Sequence, residues 1–155
     1  MHIFLYAPKK RYNLIKKLRG HTSRINHLDF SEDGEFIQSC SSSYELLYHS
    51  TETGKQITKS STFADTKWAT WTCIFGWPVQ GIWPECSQGD DINSCDVDKK
   101  GKVIVTGDDF SKVKLFRFPS PVEKAAYYQY NGHSSHVTCV RFMKDNKRYK
   151  YRRNR

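Results

Sequence analysis

The amino-acid sequence predicts an all-β protein built from a repeated unit. Short runs rich in β-branched and aromatic residues recur along the chain, such as INHLDF at 25–30 and KVKLFRF at 112–118. Turn sequences such as SEDG and DKKG separate them, and no segment shows sustained helical periodicity. Short, regularly spaced strands are typical of repeat architectures, so the sequence predicts an internal repeat.

Three copies of one pattern align. GHTSRINHLDF at 20–30 matches GHSSHVTCVRF at 132–142 without a gap, and INHLDFSEDGEFIQS at 25–39 matches INSCDVDKKGKVIVT at 92–106. Ile25 thus aligns with Ile92, 67 residues later, and Ile92 with Val137, 45 residues later. The second spacing falls in the roughly 40–45-residue period of WD40 repeats, each of which forms one four-stranded antiparallel blade of a β-propeller.

The alignment predicts a partial WD40 propeller of about two and a half blades, with a Trp-rich insertion and a basic non-propeller tail. The predicted segments are end strands of a preceding blade (1–19), a WD40 repeat (20–60), the Trp-rich insertion (61–90), a second WD40 repeat (91–131), the start of a truncated repeat (132–143) and the basic tail (144–155).

Six residues are expected to fix the turns of the repeats. A His after Gly at the entry to a blade can donate a hydrogen bond to an Asp between the second and third strands. The candidates are Gly20, His21, Asp108, Asp109, Gly132 and His133.

None of the three copies contains the whole set. Ser42 and Ser43 stand where the first copy needs its Asp, and Ser87-Gln88 stand where the second copy needs Gly-His. His49-Ser50 and Phe116-Arg117 replace the usual Trp-Asp. The sequence therefore predicts that no blade has a complete turn-fixing set and that each blade has low stability.

The insertion accounts for the longer first spacing and contains every tryptophan of the protein. Packing against blade edges is the expectation for large aromatic side chains, and a protein-binding surface is the main alternative, since Trp is enriched at interface hot spots. A membrane belt lacks a span, and a cation cage would need acidic neighbours beyond Glu85, Asp90 and Asp91. The candidate partner surface is Trp68, Trp71, Trp77 and Trp83.

The net charge of +9 is concentrated at the two ends of the chain, KKRYNLIKKLR at 9–19 and KDNKRYKYRRNR at 144–155. Such ends suit an acidic protein surface or a nucleic acid, and the alternative is a solvated basic surface. The candidate polyanion contacts are Lys147, Arg148, Lys150, Arg152, Arg153 and Arg155.

Several function classes find no support. No run of about 18 apolar residues predicts a transmembrane helix, and the first residues do not resemble a secretory signal, so a cytosolic protein with no membrane partner is expected. The five cysteines lack CxxC spacing and are expected to be reduced thiols rather than metal ligands. No nucleophile with a nearby base is visible, so we expect neither enzyme activity nor a cofactor.

ADTKWATWTCIFGWPVQGIWPECSQGDDIN at 64–93, with TGDDFSKVKLFRFP and GHSSHVTCVRF after it, resembles the echinoderm microtubule-associated protein-like family. The resemblance extends over residues 1–142 and implies a cytoskeletal scaffold of tandem WD40 propellers that binds tubulin and microtubules. A closed seven-blade propeller needs roughly 280 residues at this repeat period. We therefore also expect a truncated product, which would act either through its basic ends or as an interfering fragment that pairs with a full-length propeller relative.

Overall fold

The computed structural model describes residues 1–8, 12–84, 91–143 and, for its backbone, 149–153. These residues form twelve β-strands and two short 3₁₀ helices. The chain divides into two compact units, Met1–Cys73 and Ile74–Arg155. None of the helices among the described residues is long and apolar enough to cross a membrane.

The first unit contains a two-stranded and a four-stranded antiparallel sheet. Strands β1 (Ile3–Pro8) and β2 (Tyr12–Leu18) form the smaller sheet. The larger sheet has the order β3-β4-β5-β6. Its strands are β3 (Ile25–Phe30), β4 (Phe36–Ser41), β5 (Leu46–Ser50) and the short β6 (Gln56–Ile57). A 3₁₀ helix at Ser60–Phe63 follows.

The second unit also contains a four-stranded and a two-stranded antiparallel sheet, but here the four-stranded sheet comes first along the chain. A 3₁₀ helix at Trp77–Ile82 precedes the four-stranded sheet, whose strands are β7 (Ile92–Val97), β8 (Val103–Asp108), β9 (Val113–Arg117) and β10 (Tyr127–Tyr130). Strands β11 (Val137–Phe142) and β12 (Tyr149–Arg153) then form a two-stranded sheet. The predicted all-β fold with four-stranded antiparallel sheets is confirmed.

The three aligned copies share one strand register. Ile25 lies opposite Ser41 in β3–β4, Ile92 lies opposite Asp108 in β7–β8, and in β11–β12 the partner of Val137 is Arg153. Each ladder has an irregularity directly after this first pair. A register shift of one residue would move every side chain to the other face, so equal registers mean that the repeats bury equivalent positions.

The expectation of a tail outside the sheets is wrong for Tyr149–Arg153, which form β12 and pair with β11. The physical reason is that YKYRR keeps the 45-residue spacing of β8, and its two tyrosines favour strand structure even though the usual Val and Ile residues are missing. The other tail residues, 144–148 and 154–155, lie outside the described part of the chain.

Apolar side chains of the strands form the interior of each unit, and the central strands β4 and β8 are buried at five consecutive positions. In the second unit Val105, Val113, Val137 and Val140 form a buried cluster, so β11 packs on β7 and β8. In the first unit the buried apolar side chains come from the sheets and from the segment after β6. They are Leu18, Ile37, Cys40, Phe63, Trp71 and Cys73.

Candidate functional site

Asp29 of β3 holds the first half of the Trp-rich segment in place. Its carboxylate is 1% exposed and accepts hydrogen bonds from the backbone N–H groups of Thr72 (2.9 Å) and Cys73 (3.0 Å). The hydroxyls of Thr70 (2.6 Å) and Thr72 (3.0 Å) and the amide of Gln38 (3.1 Å) also donate to it. A buried carboxylate with this many donors is compensated for the loss of hydration, so it fixes residues 70–73 against β3.

An aromatic cluster covers the same sheet. Tyr48 of β5 stacks on Phe63 with ring centroids 4.3 Å apart, and Trp68 lies 6.1 Å from Tyr48 and 6.2 Å from Phe63. Trp71 packs edge-on against Trp68 and donates its indole N–H to the carbonyl of Cys73 at 2.9 Å. Trp71 is 9% exposed, so this tryptophan has a packing role rather than a contact role.

Cys73 and Cys40 are fully buried beside this cluster. Burial, with contributions from Cys40 and Asp29, raises the pKa of the Cys73 thiol well above its usual value. The thiolate is the reactive form of cysteine, so Cys73 is held in its unreactive form.

The second half of the Trp-rich segment is held in a different way. The 3₁₀ helix Trp77–Ile82 accepts a hydrogen bond from Ser120 N to the carbonyl of Pro78 (2.7 Å) and donates one from Gly81 N to the carbonyl of Ser120 (2.6 Å). A β-carbon on Gly81 would collide with the carbonyl oxygen of Val122. Only glycine permits this backbone-to-backbone approach, which fixes the helix on the segment after β9.

Trp83 and Phe75 stack in parallel, with ring centroids 5.6 Å apart and planes 6° apart, and Trp83 donates to the carbonyl of Ile74 at 3.0 Å. The two rings border an open cleft with a volume of about 490 Å³. Its other lining residues are Gly76, Gln80, Pro84, Glu123 and Lys124.

Trp77 differs from the other three tryptophans because its side chain is 62% exposed, whereas Trp68 and Trp83 are half-buried. It begins the helix Trp77–Ile82, in which Val79, Gly81 and Ile82 are buried. An exposed indole on a fixed backbone loses little conformational entropy on binding, which is the property of an interface anchor.

The turn residues of the first repeat are joined by a carboxylate that the sequence analysis missed. His21 Nδ1 donates to Glu45 Oε2 at 3.0 Å, and His21 Nε2 lies 2.7 Å from the hydroxyl of Ser39. Thr22 donates to Glu45 through its hydroxyl (2.6 Å) and its backbone N–H (3.1 Å). The Ser41 hydroxyl also donates to Glu45 at 2.7 Å. The hydrogen bonds from the Thr22, Ser41 and His21 side chains, in this order, lower the pKa of Glu45 to about 2.

The expectation that the first repeat lacks a carboxylate partner for its His is therefore wrong. The strand register makes Ser41 and Ser42, rather than Ser42 and Ser43, the equivalents of Asp108 and Asp109. Glu45 lies three residues after Ser42, and its longer side chain brings the carboxylate to His21 from there. Gly20 (φ 138°) and Gly132 (φ 152°) precede the two His residues with a backbone conformation that favours glycine.

In the second repeat Asp108 ends β8 and Asp109 follows it. Asp108 accepts from the backbone N–H groups of Phe110 (3.0 Å) and Lys112 (2.8 Å), and its other oxygen lies 2.8 Å from Lys114 Nζ. Asp109 accepts from Asn93 and from His136, each at 2.6 Å. His133 is half-buried three residues before His136.

The candidate polyanion contacts divide into two sets. Lys150, Arg152 and Arg153 belong to β12. Lys147, Arg148 and Arg155 lie outside the described residues. Within the described part of the chain, no three His, Cys, Asp or Glu side chains are placed to hold a metal ion.

The family model described as "Echinoderm microtubule-associated protein second beta-propeller" matches residues 1–149. The chain belongs to the echinoderm microtubule-associated protein family. The resemblance predicted from the Trp-rich segment and the repeats is thereby confirmed.

Relatives in this family match most of the chain. The chain is 44% identical over 147 residues to the 77 kDa echinoderm microtubule-associated protein of Lytechinus variegatus, which covers 93% of the chain and 22% of that protein. The human Echinoderm microtubule-associated protein-like 3 is 47% identical over 127 residues, which are 81% of the chain and 14% of that protein. The human Echinoderm microtubule-associated protein-like 1 is 44% identical over 144 residues, 91% of the chain and 18% of that protein. The chain thus spans about a fifth or less of the length of these relatives.

Proposed function

We propose that this chain is a non-catalytic scaffold segment of the cytoplasmic cytoskeleton that binds tubulin or microtubules. The names of its relatives describe microtubule-associated proteins, which supports this partner. We assign the contact to Trp77 and the neighbouring cleft between Trp83 and Lys124. The single observation that carries the assignment is the 62% exposure of Trp77 on a helix fixed at Gly81.

The side chains of the other three tryptophans pack against neighbouring residues. Trp71 is buried and Trp83 is stacked on Phe75, and both donate their indole N–H to a backbone carbonyl of the same segment. Because Trp77 lacks such burial, replacing it removes contact area without opening a cavity in the fold.

Co-sedimentation with microtubules across a salt series tests this assignment. Trp77→Ala should weaken binding about 10-fold or more, as expected for an interface hot spot, with an unchanged thermal midpoint. Phe110→Ala is the matched control, since Phe110 is 59% exposed on the turn after β8. If Trp77→Ala binds microtubules with the same affinity as the unsubstituted chain, Trp77 is not part of the contact.

The same assay distinguishes binding through the Trp77 surface from binding through the basic end of the chain. Neutralising Lys150, Arg152 and Arg153 to Gln changes the charge of β12 without deleting a strand. Binding that persists in this variant and tolerates salt supports the Trp77 surface. Loss of binding in this variant would instead support the basic end. If binding by the unsubstituted chain also falls steeply with salt and its affinity for a nucleic acid is equal, the chain is a general polyanion binder.

A further inference from the structure

The turns between the first and second strands of the two four-stranded sheets carry opposite charges. The turn after β3 has the sequence SEDGE at 31–35, and the turn after β7 has the sequence DKKGK at 98–102. The 67-residue offset of the repeats aligns three acidic residues with three lysines. They are Glu32, Asp33 and Glu35 in the first turn and Lys99, Lys100 and Lys102 in the second. Each of these residues is exposed.

The same backbone hydrogen bonds close both turns. The N–H of the first turn residue, Ser31 or Asp98, donates at 3.0 Å to the carbonyl five residues later. The N–H of the glycine, Gly34 or Gly101, donates back to the carbonyl of that first residue at 3.0 and 2.8 Å. Both glycines have a positive φ, 75° and 63°. Because one backbone conformation accepts either set of side chains, folding of the turn does not dictate its charge.

A buried carboxylate fixes the lysines of the second turn. Asp98 is 6% exposed and accepts hydrogen bonds from the backbone N–H groups of Lys100 (3.2 Å), Lys102 (2.7 Å) and Val103 (2.9 Å). Asp98 is also the only acidic residue in DKKGK, and its oxygens face the backbone of the turn. The turn therefore presents positive charge to solvent from a backbone that is already ordered.

Arg117 adds a fourth cation to this turn. It is exposed at the end of β9 and pairs with Val103, the residue that follows Lys102. Phe118 N donates to the carbonyl of Lys102 at 2.8 Å, which keeps the end of β9 beside the turn. The equivalent residue of the first repeat is Ser50, which pairs with Phe36. The first turn thus has no cation in the place of Arg117.

We propose that the basic turn surface, formed by Lys99, Lys100, Lys102 and Arg117, binds an acidic polypeptide segment of a protein partner. A surface of one sign attracts a partner of the opposite sign and disfavours partners of its own sign. The acidic turn of the first repeat repels the same segment, so the two turns give it a preference for the second repeat. The inference rests on the proposed function in taking a protein as the partner.

The chemistry of the turn favours a polypeptide over a single-stranded nucleic acid. Proteins that bind single strands combine a basic groove with aromatic side chains on which bases stack, and DKKGK contains no aromatic residue. Carboxylates of an extended acidic segment need only the charge of the lysines and the planar guanidinium of Arg117.

Exchanging residues between the two turns tests the proposal at constant net charge. The variant with Glu32→Lys, Glu35→Lys, Lys99→Glu and Lys102→Glu keeps the net charge of +9, and both turns receive residues that the same backbone already accepts. Fluorescence anisotropy with a labelled poly-glutamate peptide measures binding. We expect affinity to fall about 10-fold, because neither turn then has a complete set of cations. Affinity equal to that of the unsubstituted chain would show that net charge alone attracts the peptide and would overturn the proposal.

A milder pair of variants keeps the test valid if the exchange disturbs folding. Lys100→Gln with Arg117→Gln should weaken binding of the peptide about 3-fold or more. Lys55→Gln with Lys59→Gln is the matched control, since both lysines are exposed in the first unit and the net charge changes equally. An equal loss in the two variants would contradict a local surface. Thermal midpoints should be unchanged in both.

The solution conditions and a second probe complete the experiment. Binding of poly-glutamate should weaken as salt is raised, because exposed charges are screened. Tighter binding of a homothymidine oligonucleotide, lost in the same variants, would overturn the choice of a polypeptide. The peptide assay contains no microtubules, so its failure leaves the proposed function standing. Conversely, unchanged microtubule binding by Trp77→Ala would concern that function and leave the basic turn surface intact.

Discussion

The two four-stranded sheets have equal strand registers, yet a strand covers the first strand of one sheet and a segment without regular strand structure covers the first strand of the other. In the second unit the regular strand β11 packs on β7, and Phe142 N donates to the carboxylate of Asp96 at 2.6 Å. In the first unit the irregular segment 67–73 lies on β3, and Cys73 N donates to Asp29 at 3.0 Å. Asp29 and Asp96 occupy the same position of the repeat.

This difference shows that an irregular segment can take the place of a strand when its backbone groups find acceptors. Ala69 N donates to the carbonyl of Phe30 and Glu32 N donates to that of Lys67, each at 2.8 Å. Further along the segment, Asp29 accepts from the N–H groups of Thr72 and Cys73. Buried backbone groups need such partners wherever the ladder pattern is absent. The first half of the insertion therefore covers β3. The second half packs on the segment after β9 and exposes Trp77.

The largest expected effect comes from removing the buried indole of this cover. Trp71→Ala should destabilise the first unit by about 3–5 kcal/mol, as truncation of a buried aromatic side chain leaves a cavity. Chemical denaturation followed by circular dichroism measures the loss. Trp77→Ala is the control and should change the unfolding free energy by less than about 0.5 kcal/mol, because the side chain is exposed. Equal losses in both variants would contradict the division of the segment into a packed and an open half.

The second prediction compares the equivalent carboxylates. Asp29→Asn puts an amide donor where backbone and hydroxyl donors converge, so we expect a loss of about 3 kcal/mol in unfolding free energy. Asp96→Asn should cost less, since Asp96 is half-buried whereas Asp29 is 1% exposed. Denaturant titration of the two variants provides the comparison. A larger loss for Asp96→Asn would show that β11, rather than the insertion, depends more on its carboxylate.

The fold was predictable from the sequence because the repeats keep both their spacing and the residue types of their strands. Aligning Ile25, Ile92 and Val137 was sufficient to find three equivalent strand pairs. The strand β12 was not predicted, because its cationic residues suggest a solvated tail. The 45-residue spacing from β8 was the signal that could have identified it.

The third prediction concerns a position where the two sheets differ in sequence. Gly107 of β8 faces Val137 so closely that a β-carbon would lie 2.6 Å from Val137 Cγ1, while Cys40 occupies the equivalent position of β4. Gly107→Ala should destabilise the second unit by about 1–3 kcal/mol through overpacking. Cys40→Ala retains a β-carbon in the first unit and should cost less. Thermal unfolding of both variants measures the difference, and a neutral Gly107→Ala would show that β11 can move away from β8.

The contacts of the candidate site were less predictable than the fold. Placing the four tryptophans in one insertion required only their positions, but their separate exposures depend on Asp29 and Gly81, neither of which has a motif around it. Glu45 was missed because the register places Ser41 and Ser42 at the positions of Asp108 and Asp109, and the length of a side chain is not part of a register argument. A search for any acidic residue within three positions of Ser42 would have found it.

The smallest expected effect, in the turn of the first repeat, depends on pH. The folded-state pKa of Glu45 is about 2 and its ordinary value is 4.5, so the ionised carboxylate stabilises the fold fully above about pH 4.5. This contribution is lost as the pH falls through the folded-state value towards 2. Glu45→Gln lacks it at every pH, so the thermal midpoints of the variant and the unsubstituted chain should differ most near neutrality and converge towards pH 2. Asp33, whose pKa is lowered by the hydroxyl of Ser31, is present in both proteins and does not affect the difference. A gap between the midpoints that stays constant from pH 7 to 2 would mean that Glu45 acts through the shape of its side chain rather than through its charge.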